Sequence, residues 1–198
     1  MNRIDLPFVD YQYPAGKGPP GLFMLVGEAP GKDEVKQGMP FVGRSGKLLD
    51  KNLQEAGLER GQCLVANVFR YQPPGNKVGH FFLSNRAAEA VGEKLAVEFG
   101  KFGGKSVRAL FAAELEYLKK TIAEKKPKVI VTLGATPLWA LTGLGGIVAL
   151  RGKLQECRFV PGIPVIPTFH PSYILRGNWA AEPLFQKDLA ESRKILMA

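Results

Sequence analysis

The amino-acid sequence predicts an α/β protein of three layers, with helices packed on both faces of a central four-stranded parallel sheet. Two observations carry this. Short apolar, β-branched runs recur along the chain, each closed by a glycine or a turn and followed by a helical pattern. The runs are also nearly continuous in apolar residues, which marks strands buried on both faces. The 198 residues suffice for one domain with a substantial core, carrying an insertion at about 76–105.

The strands fall at 22–26, closing at Gly27; 64–68; 129–133, closing at Gly134; and 165–169, closing at His170. Helices are predicted at 45–56, 87–99, 107–125, 136–142 and 183–196. The third shows the clearest period: Leu110, Phe111, Leu115, Leu118 and Ile122 recur at three- and four-residue spacing. Lys119, Lys120, Lys125 and Lys126 cluster at its carboxyl end, where they suit the helix dipole, and Pro127 stops it. The 76–105 stretch reads as a basic, glycine-punctuated helix set between two strands.

Composition narrows the function. Lys and Arg total 27 against 18 Asp and Glu, a net charge of +9 that favours a polyanionic partner such as nucleic acid. The two cysteines, Cys63 and Cys157, form no CxxC pair, so neither a disulfide framework nor a cysteine zinc site is expected. His80 and His170 are the only histidines, and neither has a second ligand one helical turn away; no metal and no cofactor are expected. The amino-terminal residues 1–5 lack a signal-peptide pattern, and no apolar run approaches the about eighteen residues of a membrane span. A soluble, cytoplasmic monomer is the expectation. Two glycine-rich stretches, 38–45 and 99–106, imitate a phosphate loop. The first carries Arg44 where lysine belongs and the second Phe99 where glycine belongs. A Ser-His-Asp hydrolase lacks its GxSxG elbow.

In open parallel sheets the ligand site lies beyond the carboxyl ends of the strands. There the chain reads Gly27-Glu28-Ala29-Pro30-Gly31, then Asn67 through Asn76, then Gly134-Ala135-Thr136, then His170-Pro171-Ser172, so that an acid, an amide and an imidazole share one rim. With Glu34, the 38–49 run from Gly38-Met39-Pro40-Phe41 to Leu49, the Arg70-Tyr71-Gln72-Pro73-Pro74 stretch and the Tyr173-Ile174-Leu175-Arg176 continuation, this order resembles the uracil-DNA glycosylase superfamily, most closely its family 4 type. The likeness spans about 21–76 and 107–197.

The resemblance implies a monofunctional glycosylase that hydrolyses the N-glycosidic bond of uracil in DNA, the opening step of base-excision repair. His170 would donate to uracil O2 as negative charge develops on the leaving base. Asn67 would read the base edge, its NH2 facing O4 and its carbonyl facing N3–H. Phe41 would stack on the flipped base, with Gly27 and Ala29 also among the base-binding residues. Glu28 and its loop backbone would hold the attacking water, and Glu34 would crowd a thymine methyl. Arg44, Ser45, Ser172 and Arg176 would meet phosphates, while Ile174 and Leu175 would wedge into the vacated stack. Each residue also has a plainer role: His170 a helix cap, Asn67 a turn residue, Phe41 a core aromatic, Glu34 a solvated loop acid, and Ile174 and Leu175 a buried turn.

Two departures from family 4 stand out. Its enzymes typically hold a 4Fe–4S cluster on four cysteines, but no CxxC precedes Leu22 here and Tyr71 stands where the family has a cysteine. The 76–105 segment, with Lys77, Arg86, Lys94, Lys101 and Lys105, would replace that bracing or add DNA contact. The alternative function is a DNA-binding relative, weakly catalytic or not catalytic, that recognises uracil, an abasic site or another modified base.

Overall fold

The computed structural model describes residues 4–15 and 21–198. Residues 1–3, part of the amino-terminal stretch read above, and 16–20 lie outside the described residues. Strand β1 (Phe23–Gly27) sets the layering, because its successive side chains go to opposite faces and both faces are apolar. Phe23 and Leu25 join one core, Met24 and Val26 the other. Strands β2 (Cys63–Asn67), β6 (Val129–Leu133) and β8 (Pro164–Thr168) repeat the pattern and run parallel to it.

Helices α1 (Lys32–Gln37) and α2 (Gly43–Glu55) lie between β1 and β2. Leu48, Leu49 and Leu53 of α2 pack on the Phe23 face, together with Phe185 and Leu189 of α8 (Glu182–Met197). On the Met24 face lie Leu115, Leu118 and Ile122 of α4 (Ala112–Lys125) and Trp139 of α5 (Ala135–Thr142). The three-layer α/β arrangement expected from the sequence is therefore present. The central sheet gains a fifth, antiparallel edge strand β7 (Gln155–Glu156), which follows the short helix α6 (Ile147–Leu150), in the order β2-β1-β6-β8-β7. Two residues are too few for a periodic signal.

The largest correction concerns 87–99. Helix α3 (Asn85–Val91) ends at Gly92, whose φ of 66° supplies a left-handed cap. The chain then turns into β4 (Leu95–Phe102), which pairs with β5 (Lys105–Arg108), itself paired with β3 (Phe82–Leu83) in a small antiparallel sheet. A register shift between Ala96 and Lys101 spoils the alternation that would have announced a strand. The predicted 107–125 helix likewise begins only at Ala112, since Val107 belongs to β5 and Ala109–Phe111 form a 3-10 turn. Phe81, Phe82 and Phe99 of this segment are buried in the same core as Trp139. Arg158 ties it down further, donating to the carbonyls of Ala140 (2.9 Å) and Phe99 (2.8 Å).

Candidate active site

The sheet order puts the crossover after β1 on one face and the crossover after β2 on the other, so a crevice opens at the carboxyl ends of β1 and β6. Thr136, buried at the start of α5, bridges it by donating its hydroxyl to Oε2 of Glu28, 108 residues away in sequence. A cleft of about 580 Å³ lies above, lined by Glu28, Ala29, Glu34, Phe41, Arg44, Ser45, Asn67, Asn76, His170, Ser172 and Arg176 among others. Every pocket and phosphate residue expected from the sequence except Gly27 therefore lines one cleft, whereas the expected wedge residues Ile174 and Leu175 do not.

Gly27 and Asn67 are register partners at the ends of β1 and β2. A Cβ on Gly27 would overlap both the Phe41 ring and the Asn67 side chain, so glycine is what lets the three meet. Asn67 is nearly buried, and among the described residues no protein group hydrogen-bonds its carboxamide, which is left to face the cleft. Phe41 is buried too, with its ring centroid 5.6 Å from that of His170.

His170 caps α7 (Pro171–Leu175): the backbone N–H of Ser172 donates to its Nδ1 at 3.0 Å. The neutral ring must then carry its proton on Nε2. Burial, reinforced by the charge of Arg176, holds the imidazole pKa down to about 4, from an ordinary value of 6.5. Glu28 moves the other way. Burial raises its pKa above the ordinary 4.5, against the hydrogen bond from Thr136 and the charge of Arg176. Arg176 itself is exposed and donates to the Ser172 hydroxyl at 3.1 Å.

Glu34 has a role in the loops as well as in the cleft. It accepts from the backbone N–H groups of Gly31 (3.0 Å) and Val42 (3.2 Å), stapling the two loops that flank the site. The expected wedge needs correction. Ile174 is completely buried in the core that contains Leu49 and Phe185, and Leu175 packs partly against it. The short helix causes this, because Pro171 and Ile174, three residues apart, share its buried face. Tyr173 and Arg176 point outward instead. Two further residues carry no sequence signal for a role here: Thr136, although it stands on the strand-end rim, and Arg60, which nothing in its neighbourhood marks.

The description of the uracil-DNA glycosylase superfamily matches residues 17–192. This chain belongs to the uracil-DNA glycosylase superfamily. It is 32% identical to the type-4 uracil-DNA glycosylase of Thermotoga maritima, over 78% of this chain and 67% of that one. Against the type-4 enzyme of Pyrobaculum aerophilum it is 33% identical, over 84% and 74%, and against that of Sulfurisphaera tokodaii 31%, over 91% and 73%.

A family 4 iron–sulfur cluster does not fit this member of the superfamily. Cys63 and Cys157 are both buried, on opposite faces of the central sheet, and two thiolates cannot replace four. Among the described residues no three His, Cys, Asp or Glu side chains gather as metal ligands. Tyr71 lies edge-on to Phe8, ring centroids 5.3 Å apart. Beside it Arg70 grips Glu114 with two nitrogens (3.0 and 3.1 Å), its guanidinium carbon 3.6 Å from the Tyr117 ring centre. An ion pair in an aromatic cage thus braces this region. Among the described residues no helix is long and apolar enough to cross a membrane.

Proposed function

We propose that this protein is a monofunctional DNA glycosylase that hydrolyses the N-glycosidic bond of deoxyuridine in DNA. The observation that carries the reading is the fixed tautomer of His170. With Nδ1 occupied by Ser172 and the ring kept neutral, Nε2–H is a donor that needs no protonation from solvent. A preorganised donor stabilises the negative charge that appears on O2 as the N1–C1′ bond lengthens.

The remaining residues supply what the reaction requires. A flipped uracil stacks on Phe41 and presents its O4 and N3–H edge to Asn67, whose carboxamide offers one donor and one acceptor. Cytosine reverses that pattern and meets a mismatch. The bonding pair of N1–C1′ leaves with the base as a uracil anion. Water held by Glu28 adds through oxygen to the electron-poor C1′, and its proton passes to the carboxylate, which Thr136 orients. The products are free uracil and an abasic deoxyribose. Arg44 and Ser45 in the first turn of α2, with Ser172 and Arg176, supply the phosphate contacts, and the positive end of α2 adds to them.

Oligonucleotides carrying one uracil opposite G, opposite A or unpaired test this reading, after alkaline cleavage and a denaturing gel. Breaks at uracil that disappear in His170→Ala support it. An absence of breaks together with selective, salt-dependent binding would transfer the protein to the non-catalytic class.

A further inference from the structure

Phe41 holds its place through a backbone that an aromatic residue seldom adopts, with φ of 51°. Such a conformation persists only where the surroundings over-determine it. From within the cleft Glu34 fixes the following amide, that of Val42. From behind, Gly46 leaves room for the Phe41 carbonyl oxygen, which a Cβ there would overlap. The group that seizes that oxygen is outside the cleft altogether.

Arg60 stands in the 3-10 turn Arg60–Gln62, just before β2. Its Nη1 donates to the carbonyl of Phe41 at 2.8 Å, and its Nη2 to the carbonyl of Pro40. The guanidinium is aimed by two further partners. Gln12 Oε1 accepts from Nε and Nη2 (3.2 and 3.0 Å), and Asp50 Oδ1 accepts from Nη1 (2.9 Å). Arg60 borders a second cleft of about 520 Å³ on the other side of Phe41 and does not line the first. Its planar fork spans two consecutive carbonyls at once, which a lysine ammonium cannot do in the same geometry.

We infer that Arg60 is a positioning residue for base recognition: by gripping the carbonyls of Pro40 and Phe41 from behind, it fixes the Phe41 ring as the wall on which the extruded base stacks. The inference rests on reading the cleft as a uracil pocket. Arg60 touches no substrate and takes no part in proton transfer. Its removal therefore weakens recognition of the base while sparing recognition of the sugar–phosphate backbone.

The test compares binding to two duplexes, one with a non-hydrolysable 2′-fluoro-deoxyuridine and one with a tetrahydrofuran abasic analogue at the same position. Wild type, Arg60→Ala, Arg60→Lys, Phe41→Ala and the Phe41→Ala/Arg60→Ala double variant are measured, with thermal melting of each. Arg60→Ala should lose about ten- to a hundredfold in affinity for the fluorouridine duplex, the range of one base–aromatic stack, and little for the abasic one. Arg60→Lys should lose less, and in the Phe41→Ala background the Arg60 effect should vanish. Should Arg60→Ala fail to fold, Arg60→Lys and Gln12→Ala, which only loosens the guanidinium, carry the same comparison. Equal losses on both duplexes, or a loss that adds undiminished to Phe41→Ala, would overturn the inference. A wild-type protein that cannot tell the two duplexes apart would instead overturn the uracil-pocket reading, and Arg60's role with it.

Discussion

The backbone N–H of Ser172 donates to Nδ1 of His170 at 3.0 Å, so one hydrogen bond both caps helix α7 and decides which ring nitrogen carries the proton. The plain role of a helix cap and the role of an oxyanion donor are compatible, and the first makes the second possible. His170→Ala should lower the single-turnover rate on uracil-containing DNA by about 10²–10³-fold, the usual cost of one oxyanion donor. The lost cap should remove only about 1 kcal/mol of stability. Rapid-quench kinetics beside urea unfolding separates the two effects.

The pH profile follows from the opposite displacements of His170 and Glu28. His170 is neutral in the folded protein at any pH well above 4, so its titration leaves the rate unchanged between pH 8 and 6. As the proposed base, Glu28 has to be ionised to take a proton, and its pKa is raised. The acid limb of the rate should therefore lie above 4.5 and belong to Glu28. Glu28→Gln should lower the rate and abolish the limb, as pH-dependent single-turnover measurements would show.

His170 also links stability to acid. Its folded pKa, about 4, is depressed below the ordinary 6.5, so the unfolded chain binds the extra proton between those values. The contribution is fully present above pH 6.5 and is lost as pH falls through the folded pKa. His170→Ala should narrow the gap in urea midpoint between pH 7 and pH 4.5.

Gly27→Ala should act on the site and not on the fold at large. The added Cβ meets the Phe41 ring and the Asn67 side chain, displacing together the two groups proposed to stack on the base and to read its edge. A misplacement of about 1 Å can cost on the order of 10²-fold in rate. The check is kcat on uracil DNA, with circular dichroism to show an unchanged fold.

The Arg70–Glu114 pair should be a stability element. Glu114's side chain is only 4% exposed and also accepts from the Arg70 backbone N–H at 3.0 Å. Arg70→Ala strands that carboxylate and should cost about 3–5 kcal/mol, whereas replacing both residues with apolar ones of similar size should cost far less. Urea unfolding of the two variants distinguishes these outcomes.

The parallel strands were legible because burial on both faces writes an unbroken apolar run, and looking at their carboxyl ends leads to Asn67, the last residue of β2, and to Glu28 and His170 just past β1 and β8. The 95–102 strand was not, because its bulge breaks the period of two and its neighbours read as helix. The choice between wedge and buried turn for Ile174 was not legible, because its three-residue spacing from Pro171 matters only once the short helix is known. Thr136 and Arg60 were hidden for a deeper reason. Their partners, Glu28 and the carbonyls of Pro40 and Phe41, are distant in sequence or belong to the backbone, and neither leaves a pattern in the side chains.

In the proposed mechanism His170, as a neutral Nε2 donor, drives release of uracil from DNA. Single-turnover cleavage of a uracil-containing oligonucleotide by wild type and His170→Ala, assayed in parallel with binding to the non-hydrolysable fluorouridine duplex, tests it most directly. Uracil release by the wild type should fall about 10²-fold or more in the variant, with binding largely retained. Uracil release unchanged by the substitution, or absent from the wild type itself, would contradict this mechanism.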